Sequence, residues 1–190
     1  MRAARRAVRN GTMGDGLPAA RGRGVAGSGE AREGCELVLE IRKFNDPILR
    51  KQSLPLKKIT KDMLVLADNM LETMYAADGV GLAAPQVGVP VRLIVVDVGE
   101  GPVVLFNPRI VRSSGEATAR EGCLSLPGIT GEVVRAETVT VEALSPGGHN
   151  VKRVEGEGLL ARALQHEIDH LDGILFVDKA TNIVEEEVDR

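Results

Sequence analysis

The amino-acid sequence predicts an α+β domain built mostly of antiparallel sheet. Two segments have the apolar spacing of helices, and several short apolar runs between them have the length of strands. A Pro-Gly-Gly turn at 146–148 joins two of these runs, which favours antiparallel neighbours. The chain has 190 residues, enough for one domain with an ordinary core. We therefore expect a single domain at 37–184 and a short acidic end at 185–190.

Residues 1–36 differ in composition from the rest of the chain. They are rich in Arg, Ala and Gly and contain almost no large apolar side chains. Such a segment cannot bury enough surface to offset the entropy lost on ordering, so we expect a disordered N-terminal extension. Its first dozen residues carry four arginines and no acid, as transit peptides do. An over-extended translation start accounts equally well for this composition.

The first predicted helix runs from Thr60 to about Ala77. Thr60 is a suitable N-cap, and Gly79 lies just past the end of the helical pattern. Because the apolar side chains share one face, we expect that face to pack in the core. The residues on it are Met63, Ala67, Met70, Leu71 and Met74.

Five apolar runs after this helix predict strands. Runs of this length, bounded by glycine, proline and polar residues, are typical of strands. They lie at 91–98, 103–106, 133–134, 138–144 and 150–154.

The second predicted helix, from about Glu157 to Leu171, contains the pentapeptide HEIDH at 166–170. Four residues advance a helix by about 400°, so His166 and His170 leave the same face, as two ligands of one metal ion must. Gly173 is expected to end the helix. The apolar positions expected to pack on the sheet are Leu160, Ala163, Leu164, Ile168 and Leu171.

Glu167 completes the pattern of a metal-dependent hydrolase. It is rotated by about 100° from His166, close enough to act on a water at the metal without being a ligand itself. An H-E-x-x-H sequence on a helix is typical of such enzymes. A tetrahedral catalytic site needs a third protein ligand and one open position, so the third ligand has to be found elsewhere in the chain.

Two known classes of H-E-x-x-H protease take the third ligand from a downstream position. In the metzincin pattern a histidine belongs where this chain has Phe176, which cannot bind a metal. A thermolysin-like site would use a glutamate further on, where Glu185, Glu186 and Glu187 lie. These acids stand close to the C-terminus, where a solvated end is favoured. A zincin-type metallo-endopeptidase with a glutamate ligand stays open as the alternative.

Cys123 is the stronger candidate for the third ligand. It lies between a glycine and a proline, so we expect it at the end of an extended segment. A thiolate is a strong ligand for zinc or ferrous iron. A lone cysteine is as often a small buried hydrophobe, but two spaced histidines in the same short chain favour the ligand.

The segment 79–89 supplies a hydrogen-bond donor to the predicted site. Its small residues allow backbone and substrate to approach closely. Gln86 has its only side chain with hydrogen-bonding capacity. The amide of Gln86 could donate to an oxygen that becomes negative during the reaction.

Three motifs belong together: GVGLAAPQ at 79–86, EGCLS at 121–125 and QHEIDH at 165–170. In that order and spacing they resemble the motifs of the bacterial and organellar peptide deformylases. The resemblance covers roughly residues 37–180. It implies a catalytic domain in which mostly antiparallel sheets pack around a central metal-binding helix. It also implies the reaction, removal of the formyl group from the N-terminal formylmethionine of nascent polypeptides.

The resemblance implies a metal site and its surroundings. Cys123, His166 and His170 would bind one divalent ion, for which the family favours ferrous iron. Two imidazoles and a thiolate also accept zinc, nickel or cobalt. Arg135 and Asp78 resemble a charged pair that braces the motifs in the family.

The resemblance also assigns the remaining site residues. Glu167 would be the general acid and base. Gln86 and the backbone amide of Leu124 would donate to the oxyanion. Gly81 and Gly79 would lie against the substrate.

Composition and charge argue against a nucleic-acid-binding protein, a membrane span and a disulfide framework. The net charge is −3, with no tryptophan, one tyrosine and three phenylalanines, so a surface that stacks and reads nucleic-acid bases is not expected. No apolar run approaches the roughly 18 residues of a membrane helix. Only Cys35 and Cys123 are present, which implies a reducing compartment rather than a disulfide framework.

The family resemblance also implies the partners of the protein. It implies formylated nascent peptides as the main ones. The short acidic end offers no basic helix for docking, so contact with the ribosome is expected to be transient at most. The bacterial cytoplasm is the expected compartment, and import into an organelle is less favoured.

Overall fold

The computed structural model describes residues 37–147 and 151–185. Within these ranges the two α-helices are α1, Lys61–Ala76, and α2, Gly158–Leu171. The predicted N-terminal extension at 1–36 and the acidic residues after Glu185 lie outside the described residues. None of the described helices is both long enough and apolar enough to cross a membrane.

Eight strands, arranged in two sheets, make up most of the described fold. Their bounds are β1 Gly81–Ala83, β2 Leu93–Val96, β3 Val103–Ser114, β4 Ala117–Cys123, β5 Leu126–Arg135, β6 Thr138–Leu144, β7 Val151–Glu157 and β8 Thr181–Glu185. The larger sheet has the order β1-β2-β3-β6-β7 and the smaller one β4-β5-β8. All neighbouring strands pair antiparallel. The predicted α+β class with mostly antiparallel sheet is confirmed.

Strand β2 is buried on both faces because the two helices pack on opposite sides of the larger sheet. Leu93 and Val95 belong to the core under α1, whereas Ile94 and Val96 belong to the core under α2. Successive side chains of a strand point to opposite faces. Four consecutive apolar residues are therefore what this position requires.

The second helix occupies the centre of the fold. It contacts all five strands of the larger sheet, and its face contributes Ala161, Leu164 and Ile168 to the core. Its charged side chains reach the smaller sheet, where Arg162 bonds backbone carbonyls of β4 and β5. The expectation of sheets around a central helix is confirmed.

Local chemistry explains where the two helices begin and end. Thr60 caps α1 by accepting a hydrogen bond from the Met63 amide at 3.4 Å. After α2, Gly173 has a φ of 75°, a conformation that glycine adopts without strain. Both predicted helices agree with the structure to within about one residue at each end.

The predicted strands agree less evenly with the structure. The run at 138–144 has the bounds of β6, but β1, β4 and β8 were not predicted. Strand β1 has only three residues. Strands β4 and β8 form the two edges of the smaller sheet and are mostly exposed, so they lack the apolar alternation that marks a half-buried strand.

Candidate active site

Three candidate metal ligands from separate elements come together at the end of β4. Cys123 is the last residue of β4, and His166 and His170 lie one turn apart on α2. Their donor atoms all lie within 4.8 Å of one another. Cys123 Sγ is 3.2 Å from His170 Nε2. One sulfur and two imidazole nitrogens at this spacing are a donor set that suits zinc or ferrous iron.

The backbone at Cys123 departs from regular pairing. The register of β4 with β5 shifts between Gly122 and Cys123, and Cys123 then pairs with Leu126 across a tight turn. A bulge of this kind re-aims the side chain that follows it. The expectation that Cys123 ends an extended segment is confirmed.

Glu121 lies beside the three candidate ligands and accepts four hydrogen bonds. Arg135 donates to both of its carboxylate oxygens, at 2.9 Å each. Arg162 donates to Oε1 at 2.6 Å. His166 Nδ1 lies 2.9 Å from Oε2. Because a carboxylate offers about four lone-pair positions, the acceptor capacity of Glu121 is fully used.

These contacts keep Glu121 ionised and orient His166. Burial alone would raise the pKa of Glu121, but the hydrogen bonds from His166 and Arg135 outweigh burial and lower it to about 2. The ionised carboxylate accepts the Nδ1 proton of His166, which leaves Nε2 of that ring as the atom able to bind a metal.

The two histidines differ in their electrostatic surroundings. Burial lowers the pKa of His170 well below its usual value, so this imidazole is neutral and able to act as a ligand. Burial also opposes a charge on His166, but hydrogen bonds with Cys123 and Glu121 and the charge of Glu167 outweigh it and raise its pKa to about 10. The same groups that favour a positive His166 would favour a divalent cation.

Glu167 has the environment of a proton-transfer group. The residue is 5% exposed, and burial raises the pKa of its carboxyl group from the usual 4.5 to about 7. Its Oε2 is buried and has no hydrogen-bond partner among the described residues. A carboxyl with a pKa near neutrality can both take and release a proton.

Two glycines, one in β1 and one just before it, allow the main chain to pass close to these groups. A Cβ on Gly81 would lie 2.9 Å from Cγ and from Cδ of Glu167. A Cβ on Gly79 would lie 2.8 Å from Cδ1 of Leu124. Carbon atoms do not approach so closely without displacement, so an alanine would displace the Glu167 side chain at Gly81 and the end of the Leu124 side chain at Gly79.

Gln86 is held with its amide nitrogen toward the cysteine. It lies on a short 3-10 helix, Ala84–Val87, directly after β1. Its Oε1 accepts from the Ala83 amide at 2.8 Å. Its Nε2 donates to Ser125 Oγ at 3.2 Å and to Cys123 Sγ at 3.5 Å.

A cleft of about 390 Å³ opens over these groups. It runs between β1 and β4, each of which forms an edge of its sheet. Every residue predicted for the site lines it except the deeply buried His170. The predicted residues on its wall are Gly79, Gly81, Gln86, Cys123, Leu124, His166 and Glu167.

The predicted pair of Arg135 with Asp78 is wrong. Arg135 instead forms ion pairs with Glu121 and with Asp169 on α2. Asp169 in turn accepts from Lys179 Nζ at 2.6 Å. The main chain at Asp78 has a φ of 52°, and its exposed side chain lies at the rim of the cleft.

Sequence reasoning missed Glu121 and Arg162 as parts of the site. Their positions gave a usable signal. Glu121 stands two residues before Cys123, and Arg162 stands one helical turn before His166 on a largely buried helix. A charged residue on such a face needs a partner, because a buried charge without one is costly.

The glutamate-ligand alternative gains no support within the described residues. Glu185 is exposed and lies at the end of β8, opposite Ile129 of β5. It does not belong to the group of metal-ligating side chains that the described residues bring together. Glu186 and Glu187 lie outside the described residues.

Replacing Glu121 by Gln should destabilise the metal-free protein in a pH-dependent way. The pKa of Glu121 is lower in the folded state than its usual 4.5, so its contribution is complete above about pH 4.5 and is lost as the pH falls through about 2. The lowered pKa of Glu121 corresponds to ~3 kcal/mol in the free energy of unfolding. Denaturant unfolding with a chelator present should give Glu121→Gln a much lower free energy of unfolding than the wild type at pH 7. This difference should narrow below pH ~4.

Glu142→Gln is the control for this measurement. Glu142 also bonds two arginines, Arg109 and Arg153, but these lie on the exposed outer face. Solvent-exposed pairs contribute little to stability. The role assigned to the buried carboxylate would be contradicted if Glu121→Gln lost no more unfolding free energy than Glu142→Gln. A loss that did not change with pH would contradict it as well.

Comparison with known proteins identifies the chain. The family model described as "Polypeptide deformylase" matches residues 38–186. The peptide deformylase of Halothermothrix orenii is 59% identical over 151 residues, covering 78% of this chain and 97% of that protein. That of Desulfitobacterium hafniense is 57% identical over 143 residues, covering 75% of this chain and 95% of that protein.

The fold is also similar to those of solved peptide deformylase structures. The crystal structure of peptide deformylase from Thermotoga maritima has a TM-score of 0.74 and 43% identity, covering 76% of this chain and 99% of that one. The enzyme from Legionella pneumophila has a TM-score of 0.74 and 47% identity, covering 77% and 88%. The chain therefore belongs to the polypeptide deformylase family, the metal-dependent hydrolases that remove the N-formyl group from nascent polypeptides.

Proposed function

We propose that Cys123, His166 and His170 hold the divalent metal with which this enzyme deformylates nascent chains. The observation that carries the proposal is the meeting of one thiol and two imidazoles within 4.8 Å beside a buried carboxyl group. The donor set fits a catalytic rather than a structural site, because three protein ligands leave a fourth position open. A metal bound there supplies Lewis acidity that activates water and polarises the formyl carbonyl.

Ferrous iron is the proposed ion. The family resemblance favours it, and the mixed sulfur and nitrogen ligands suit it. Zinc binds such sites more tightly than ferrous iron, in keeping with the general order of divalent affinities. Zinc is therefore expected in protein purified in air, and nickel or cobalt can be substituted.

Glu167 is proposed as the general acid and base. Its pKa of about 7 allows it to take a proton from the attacking water and to pass that proton to the departing amine nitrogen. The unpartnered Oε2 is the atom available for this transfer. Both halves of the transfer use one carboxyl group, so the reaction needs no second titrating residue.

Gln86 and the Leu124 amide are proposed to stabilise the oxyanion. The Nε2 of Gln86 is fixed beside the ligand cysteine by the contact of its Oε1 with the Ala83 amide. Leu124 directly follows Cys123 in the turn and lines the same wall of the cleft. A donor fixed in advance toward the developing charge is typically worth about 3 kcal/mol.

The substrate is proposed to bind as an extended peptide between β1 and β4. Both strands are sheet edges, and edge strands offer unpaired backbone groups to an extended chain. Gly81 and Gly79 place no side chain on this side of the cleft, so the peptide can approach Glu167 closely. The close walls admit the hydrogen of a formyl group and exclude an acetyl methyl group.

The same observations support proposals for the domain bounds, the compartment and the partners. We place the catalytic domain at 37–184 and the protein in the bacterial cytoplasm, in keeping with its bacterial relatives. Its partners are formylated nascent peptides, with transient ribosome contact as the expected setting.

Cys123→Ala and Glu167→Ala should separate metal binding from catalysis. Without the thiolate, Cys123→Ala is expected to lose both its metal and its activity. Glu167→Ala should keep the metal, but its turnover of formyl-Met-Ala-Ser should fall at least about 100-fold because proton transfer is lost. Metal content and formate release measured on both variants check this. Full turnover by Glu167→Ala, or a metal-loaded and active Cys123→Ala, would refute the proposed roles.

Gly81→Ala should reduce turnover with little loss of folding. The added methyl group would displace Glu167, and misplacing a proton-transfer group lowers the rate of the chemical step. Gly122→Ala is the matched control, because Gly122 lines the same cleft but a Cβ there meets only ordinary contacts at 3.6 and 3.7 Å. A Gly81→Ala enzyme as fast as Gly122→Ala would show that the close approach does not matter.

Anaerobic purification should reveal the native metal. Protein prepared without oxygen is expected to contain about one iron per chain and to be more active than zinc-loaded protein, because the ferrous ion is not oxidised and lost from a site that zinc would then fill. Elemental analysis and formate release on the same samples measure this. Equal activity of the zinc form would argue against ferrous iron.

A further inference from the structure

Arg162 connects the helix that bears the histidines to the hairpin that bears the cysteine. It lies on α2, four residues before His166. The hairpin is formed by β4 and β5, and Cys123 is the last residue of β4. The three candidate metal ligands are therefore supplied by two separate pieces of structure, and their spacing depends on how these pieces are held together.

A single guanidinium group makes three hydrogen bonds across this junction. Nη1 of Arg162 donates to Glu121 Oε1 at 2.6 Å and to the Val133 carbonyl at 3.0 Å. Nη2 donates to the Ala117 carbonyl at 2.6 Å. Glu121 and Ala117 belong to β4 and Val133 belongs to β5. Both strands of the hairpin are thus tied to one side chain of α2.

These bonds are shielded from water. The side chain of Arg162 is 11% exposed and that of Glu121 is 4% exposed. Hydrogen bonds between ionised groups are stronger than neutral ones, and burial reduces their screening by salt. The planar fork of arginine can serve several acceptors at fixed angles, which the single ammonium of lysine cannot do.

Arg135 makes the opposite connection, from the hairpin to the helix. It is the last residue of β5 and bonds Glu121 beside it and Asp169 on α2. Arg135 therefore holds the carboxylate of Glu121 but reaches no backbone carbonyl of the hairpin in the described hydrogen bonds. Gln165 of α2 also bonds the backbone of Ala136, just past the end of β5. Among the described hydrogen bonds, only those of Arg162 join α2 to the backbone of both strands.

We propose that Arg162 is a positioning residue for the metal site. It sets the distance between Cys123 and the histidines by fixing α2 on the hairpin, and it orients His166 by holding the carboxylate of Glu121. The proposal rests on the metal role proposed above for Cys123, His166 and His170. Residues that act on a metal through its ligands typically change metal affinity or activity by about 10–100-fold when replaced.

The test compares cobalt-substituted proteins. Methionine preserves the apolar stem of Arg162 and removes the guanidinium, so Arg162→Met is the main variant. We expect its Co²⁺ affinity, measured by competition with a chelator, to fall by about 10–100-fold. The visible and near-ultraviolet absorption of the Co²⁺ protein should also change, because the thiolate-to-cobalt and d–d bands report the geometry around the ion.

Arg92→Met is the matched control. Arg92 has a side chain that is 16% exposed, and it bonds the carboxylate of Asp172 and the carbonyl of Pro108. Neither Arg92 nor Asp172 lines the cleft. This variant should lose stability in the same way as Arg162→Met, but its Co²⁺ affinity and spectrum should match those of the wild type.

Arg162→Lys keeps the test informative if the methionine variant does not fold. An ammonium can replace one of the three bonds, so the lysine variant should show a smaller loss of affinity and the same direction of spectral change. A Co²⁺ affinity and spectrum equal to those of Arg92→Met in the folded Arg162 variant would overturn the proposal. A wild-type spectrum without a thiolate-to-cobalt band would instead overturn the metal site itself, and this inference with it.

Discussion

Four hydrogen bonds converge on the carboxylate of Glu121, and through them the smaller sheet, the central helix and a candidate ligand belong to one buried network. Taking a carboxylate out of water is costly unless its acceptor positions are filled. Here they are filled by two arginines and one histidine. The arrangement of the site therefore depends on the simultaneous presence of all four bonds rather than on any single contact.

Such a network fixes the relative positions of side chains more than it stabilises the fold. Replacing a buried set of charges by apolar side chains is often neutral or stabilising in other proteins, whereas removing one member leaves the others uncompensated. A site of this kind has to hold Cys123, His166 and Glu167 in fixed relation. Apolar packing alone tolerates small shifts of a helix on a sheet, but directed bonds at 2.6 and 2.9 Å from Arg162 and His166 of α2 to one carboxylate do not.

The sequence predicts much of the site because its signals are local. The spacing of His166 and His170 fixes a helical face, and the motifs around Gln86 and Cys123 carry a family resemblance. The charged network could not be derived in this way. Arg135 pairs with Asp169, which is 34 positions away, and no local pattern distinguishes that partner from Asp78. Edge strands such as β8 were not predicted for a related reason. Strand β8 buries no residue, so its sequence does not alternate between apolar and polar side chains.

The candidate metal ligands come from two separate parts of the fold, which has a mechanical consequence. Cys123 belongs to the smaller sheet, while the histidines belong to a helix that packs on the larger one. A metal bound by all three would join residues more than forty positions apart, and because such a site forms only in the folded chain, its binding free energy would add to the stability of the fold. Loading the ion would then lock the two sheets together, so that stripping it with a chelator would loosen the enzyme's architecture as well as stop its chemistry.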